Sequence, residues 1–140
     1  MKTKETSLWG WLRRGFEAFG LRSHVNRIEN SAGIGTPDVE GCISGSQFWI
    51  ELKVAEVRAN LRMAVDITTD QAMWLRARRS VGGRSFLLIR FGKYHFLLLG
   101  NDPIIPQLIG GHSVLISEVR RGSLTPFDAK AVDVVNYLSY

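Results

Sequence analysis

The segment from Asp38 to Val54 constrains this chain more than any other. From Gln47 onward it alternates, with Phe48, Ile50 and Leu52 on one side and Trp49, Glu51 and Lys53 on the other. A period of two belongs to a β-strand, whose successive side chains point to opposite faces of a sheet. Asp38 to Ile43 reads as a second strand, and Ser44-Gly45-Ser46 between the two has the residues of a hairpin turn. Pairing Cys42 with Gln47 sets Gly41 against Phe48 and Val39 against Ile50, so the apolar faces agree. One step further it sets Asp38 against Glu51. A slip of one residue would send those two acids to opposite faces.

Directly opposed side chains have Cβ atoms about 4.5–5.5 Å apart. Two carboxylates at that range repel, and one is expected to hold its proton more tightly unless a cation sits between them. Mg²⁺ or Mn²⁺ prefers such hard oxygen donors. Either ion could polarise a phosphate and lower the pKa of a bound water. Lys53, about 6.6 Å further along the same face, could orient that water or offset charge on the phosphorane. Glu-x-Lys is common, and alone it reads as an ordinary ion pair on a solvated face. The element Gly35-Thr36-Pro37-Asp38, one strand earlier, is what favours a metal site.

The remaining elements follow from periodicity and breakers. Residues 5–19 read as an amphipathic helix with Leu8, Leu12 and Phe16 on one face and Gly20 as its stop. A short strand is expected at 23–29 and a loop at 31–37. Residues 55–68 show no period. Thr69-Asp70 opens a helix running to about Val81, and strands at 85–90 and 94–99 meet at Gly92-Lys93. A short helix after Pro103, a strand at 113–118 and a helix from about Pro126 to Leu138 complete the reading. The expectation is one α/β domain over 1–140, a central mixed β-sheet flanked by helices, with its core at about 5–99 and a C-terminal strand and helix extension at 100–140.

Charge and cysteine content narrow the partners. The 140 residues carry a formal net charge of +5, which favours polyanions. Cys42 is the single cysteine, so no intrachain disulfide forms and a reducing compartment, the cytoplasm, is expected. The first apolar stretch is broken by Arg13, Arg14 and Glu17, unlike a secretory signal, and no run is long enough to span a membrane. His24, His95 and His112 lack metal-ligand spacing, and no P-loop or dinucleotide fingerprint is present.

Gly35-Thr36-Pro37-Asp38 followed by Glu51-Leu52-Lys53, in the order helix, strand, strand, strand, helix, strand, resembles the PD-(D/E)XK nuclease superfamily. The resemblance is to its virus-type replication-repair nuclease (VRR-NUC) and Holliday junction resolvase-like branches, and it covers residues 5 to about 99. It implies a restriction-endonuclease-like core and Mg²⁺-dependent cleavage of DNA, with Mn²⁺ able to substitute. Asp38, Glu51 and the Leu52 carbonyl would ligate the metal, and Lys53 would be the catalytic lysine.

The family often adds an acid on the first helix. Glu5, which shares a face with Leu8 and Leu12, is the choice here and Glu17 the competitor; Glu5 equally suits the helix dipole. Gln71 looks like the glutamine that often follows in this branch, although a surface residue in a first helical turn reads much the same. Arg58, Arg62 and Lys93 could contact phosphate, and Trp49 could stack on a base because alternation places it with Glu51. Glu40 shares that face and reads mainly as solvent-exposed or paired with arginine. Arg76, Arg78 and Arg79 read as a charged helix face. The resemblance also implies a homodimer acting on branched DNA, in a phage-type setting of replication, recombination or repair and in host cytoplasm if phage-encoded. The alternatives are a restriction or homing-type endonuclease of the same fold and a non-catalytic nucleic-acid-binding protein.

Overall fold

The computed structural model describes residues 3–20, 22–28 and 34–140. Its centre is a five-stranded mixed sheet in the order β1-β2-β3-β6-β7, from β1 (Ser23–Arg27), β2 (Val39–Ile43), β3 (Ser46–Val54), β6 (Ser85–Phe91) and β7 (Tyr94–Leu99). The β3–β6 pair is parallel and the other three are antiparallel. Cys42 pairs with Gln47, Gly41 with Phe48 and Val39 with Ile50, the register expected from the alternation.

One face of the sheet is covered by α1 (Thr3–Phe19) and α5 (Ala131–Leu138). Leu8, Leu12 and Phe16 form the buried stripe of α1 and meet Phe48, Ile50 and Leu52, together with Val134, Val135 and Leu138 of α5. Burying one such side chain contributes about 1.5–3 kcal/mol. Gly15 lets the two helices approach, because a Cβ there would lie 2.8 Å from the backbone of Ala131. The segment expected to extend beyond the core is therefore built into it.

The opposite face is covered where β6 and β7 run. Leu87, Ile89, Phe96 and Leu98 pack there against Ala72 and Leu75 of α2 (Thr69–Ser80), and against Ile104, Ile105 and Leu108 of α3 (Ile104–Leu108). With both faces buried, β6 and β7 read as apolar runs rather than alternating ones. Thr68 caps α2: its hydroxyl accepts from the Gln71 amide, and the Gln71 Oε1 accepts from the Thr68 amide.

Three segments differ from the sequence reading. Residues 55–68 hold a small hairpin of β4 (Glu56–Arg58) and β5 (Arg62–Ala64), which joins β8 (Val114–Leu115) in a second sheet. The strand expected over 113–118 is only these two residues, paired with Met63 and Arg62; from Ile116 the chain continues as α4 (Ile116–Gly122), burying Val119. The last helix starts at Ala131, not Pro126. The stretch before it runs along β7, where Leu124 donates to Leu97 and the His95 amide donates to Phe127, so its backbone is committed to the sheet edge.

α1 is also tied to β7 through His95, which is buried and stacks on Trp11 with ring centroids 3.6 Å apart. Its Nε2 accepts from Arg90 Nε at 3.1 Å. Burial, with Arg90 adding repulsion, lowers the His95 pKa from 6.5 to about 4. The folded state thus favours neutral imidazole. Unfolded chain takes up the proton first, so stability is expected to fall as pH drops from about 6.5 toward 4. Thermal unfolding midpoints across that range should decline less in His95→Gln, which keeps an acceptor for Arg90 but cannot be protonated. Equal pH dependence in both proteins would exclude His95 as the cause.

Candidate active site

Asp38 lies one residue before β2 and is fixed from two sides. Its carbonyl accepts from Ile28 at 2.6 Å, and its Oδ2 accepts from the Leu52 amide at 2.9 Å. The loop that delivers it rests on α2: Gly35 has φ +80°, and a Cβ there would run into the Asp70 carbonyl. Pro37 is buried and Asp38 is half-buried. The ladder therefore ends at Val39–Ile50, and the Asp38 side chain takes over the backbone donor that β2 would next have satisfied.

Glu51 and Lys53 are buried, with 0% and 4% exposure, rather than emerging on a solvated face. Lys53 Nζ stands 3.4 Å from Glu51 Oε2. The reason is the parallel neighbour: Glu51 aligns with Leu87 and Lys53 with Ile89, both in the second apolar cluster. Removing two charges from water costs several kcal/mol per ion before their attraction is counted.

In β3 the amide of Trp49 and, just past the strand, that of Ala55 donate to β6-side carbonyls, so odd-numbered backbone groups face β6. Leu52, of opposite parity, turns its N–H and C=O toward Asp38. Asp38, Glu51 and the Leu52 carbonyl are all oxygen donors, the type Mg²⁺ takes while keeping several waters. Among the described residues, no group of three or more His, Cys, Asp or Glu side chains gathers closely enough to hold an ion.

The other expected site residues are placed differently. Glu5, half-buried near the start of α1, lines a cavity with Val54, Glu56, Arg58 and Asp66, just past the end of β3. Asp38, Glu51 and Lys53 do not line it. Glu17 is exposed, twelve residues or about 18 Å along the helix axis from Glu5. Glu56 and Asp66 went unnoticed in the sequence because neither belongs to a periodic segment.

Gln71 spends its carbonyl oxygen on the α2 cap. Arg62 is held by Ser113, through Nε to Oγ at 3.0 Å and Nη2 to the carbonyl at 2.9 Å. Arg58 pairs with Glu56 at 2.8 Å on the surface, and Lys93 is exposed with Nζ 5.5 Å from the Tyr94 ring centroid. Trp49 lies on the Glu51 face, half-buried, with its ring 5.3 Å from that of Trp74. Glu40, on the same face, accepts from Asn26 Nδ2 at 2.9 Å.

A central mixed sheet flanked by helices, with the acid-led hairpin at its middle, is a restriction-endonuclease-like fold. The chain is similar to a solved structure of Hjc, a Holliday junction resolvase from the archaeal hyperthermophile Archaeoglobus fulgidus, with a TM-score of 0.60 and 14% identity. The match covers 98% of this chain and 99% of that one. At this identity the likeness is one of fold. No family model and no curated protein matches the chain. Among the described residues no helix is long and apolar enough to cross a membrane.

Proposed function

We propose that this chain is a Mg²⁺-dependent DNA endonuclease that hydrolyses phosphodiester bonds in branched DNA of the Holliday junction type. The observation that carries the reading is the buried Glu51–Lys53 pair with Asp38 anchored beside it on Leu52. Buried charges are costly, and their concentration at one strand end is a mark of a working site. The restriction-endonuclease-like fold and the likeness to Hjc support it.

In this reading Asp38, Glu51 and the Leu52 carbonyl hold the metal, with Mn²⁺ able to substitute. The ion, when bound, supplies a Lewis acid for the phosphate and acidifies water. Lys53, beside Glu51, positions the attacking water and stabilises the extra negative charge of the pentacoordinate transition state. Glu5, in the neighbouring cavity past the end of β3, is the further acid of this reading. No covalent enzyme intermediate is required. A homodimer would present two such sites to a junction, in the cytoplasm, in phage-type replication, recombination or repair. The motif order of the VRR-NUC branch supports that setting.

Matched linear, flap, fork and four-way junction DNA incubated with Mg²⁺, Mn²⁺ or EDTA tests the reading. Metal-dependent nicking of the junction in preference to linear duplex is expected, with Asp38→Ala and Lys53→Ala inactive. Metal-independent cutting, or full activity of both variants, would sink the mechanism. Equal cutting of linear duplex would remove the branched-DNA preference alone.

A further inference from the structure

The face that carries Glu51 is covered by α2 over β6 and β7, and Trp74 and Arg78 of α2 reach as far as Trp49 of β3. Among the described residues it is more exposed over β1, β2 and the start of β3: His24, Asn26 and Gln47 are exposed, and Glu40, Cys42 and Trp49 are half-buried. This floor runs from the catalytic carboxylates toward the β2–β3 turn. There it ends in a cavity of about 520 Å³ lined by Trp49, Arg78 and Arg84, with the glycines Gly45, Gly82 and Gly83 at its rim.

Arg78 stands over two rings at once, its Cζ 5.0 Å from the Trp49 centroid and 4.4 Å from that of Trp74. Gly83 makes room for this posture, since a Cβ there would meet the Arg78 side-chain carbons. Stacking holds a guanidinium in place while leaving its N–H edge open. Among the described residues the Arg78 guanidinium has no hydrogen bond and no carboxylate within 4.0 Å; the Arg84 guanidinium has a single long hydrogen bond, to the Gln47 carbonyl at 3.4 Å. Arg79, next to them, has its pKa lowered by burial and by repulsion from Arg84, as expected where positive charges gather without an acid among them. The carboxylate on the floor, Glu40, is paired with Asn26.

We propose that Arg78 and Arg84 form a phosphate-binding subsite that holds the DNA strand flanking the cleaved bond, with the more exposed β1–β2–β3 face as its track. The inference rests on the nuclease reading for its substrate. Trp49 is the positioning residue: it holds the Arg78 guanidinium and lies two residues, about 6.6 Å, from Glu51 along the strand. Neither arginine touches Asp38, Glu51 or Lys53, so the subsite grips the substrate without taking part in bond cleavage.

Binding of a fluorescent four-way junction in EDTA, titrated from low to moderate salt, separates this role from catalysis. Arg78→Ala and Arg84→Ala should each weaken binding by roughly tenfold, and each lost phosphate contact should lower the salt slope by about 0.9. Arg78→Lys, which keeps the charge but not the stacked fork, should fall between wild type and Arg78→Ala. Thermal melts identify any variant that fails to fold, in which case Arg84→Gln carries the test. Folded variants with wild-type affinity and salt slope would overturn the subsite even if the protein cuts DNA normally. A wild type that binds DNA through these arginines but never cuts it would instead overturn the catalytic reading.

Discussion

Asp38→Asn should reduce Mg²⁺-dependent strand cleavage by a factor on the order of 10³ while leaving the fold intact. A single well-placed electrostatic group at a transition state is commonly worth about 10²–10³ in rate, and a metal-holding carboxylate adds loss of the ion itself. Asparagine is close to isosteric and keeps an oxygen for the Leu52 amide, which Asp38 Oδ2 now accepts at 2.9 Å. The hairpin end should therefore survive, and only the charge is lost. Single-turnover cleavage at saturating enzyme measures the effect, with a melt to confirm folding. Activity within about tenfold of wild type would show that Asp38 serves the backbone and not the chemistry.

Lys53→Met should destabilise the protein by about 3–5 kcal/mol in EDTA, the usual consequence of removing one member of a buried ion pair. The ammonium now lies 3.4 Å from Glu51 Oε2, and both side chains are shielded from water. The double replacement Glu51→Leu with Lys53→Met should recover most of that loss, because well-packed apolar residues often match a buried pair in stability. Both proteins should be inactive. Urea unfolding of the two single variants and the double one closes the cycle. A near-zero coupling energy would mean that the two charges do not stabilise each other in the folded state. That recovery of stability without recovery of activity would identify the pair as kept for its chemistry.

The register of β2 and β3 was legible because one face of the hairpin is uniformly apolar, so a slipped pairing would bury charge. The turn at 44–46 fixed the count, but the ladder stops at Val39–Ile50, short of the expected Asp38–Glu51 pair. What covers the second face was not legible. A strand pattern reports that Glu51 and Lys53 share a side, but the burial of that side depends on β6, which arrives thirty-odd residues later and aligns Leu87 and Ile89 beside them. The hairpin of Glu56–Arg58 with Arg62–Ala64 was missed because strands of three residues are too short to show alternation. The short β8 was overextended because the chain turns into α4 at Ile116. α2 starts at Thr69 as read, but its cap is Thr68, which with Gln71 has the spacing of a capping box. That same spacing accounts for Gln71 without any contact to DNA.

The close seating of α5 on α1 at Gly15 and Ala131 bears on how the chain acquires its shape during synthesis. The hairpin that bears Asp38 and Glu51 is local and can pair as soon as it is made, whereas the stripe Leu8, Leu12 and Phe16 meets Val134, Val135 and Leu138 only when the last helix has left the ribosome. Contacts so distant in sequence slow folding and leave apolar surface exposed in the interval. The first helix is thus translated early and buried last. The sheet that carries Glu51 and Lys53 is clamped on its other face only once α5 has docked on α1.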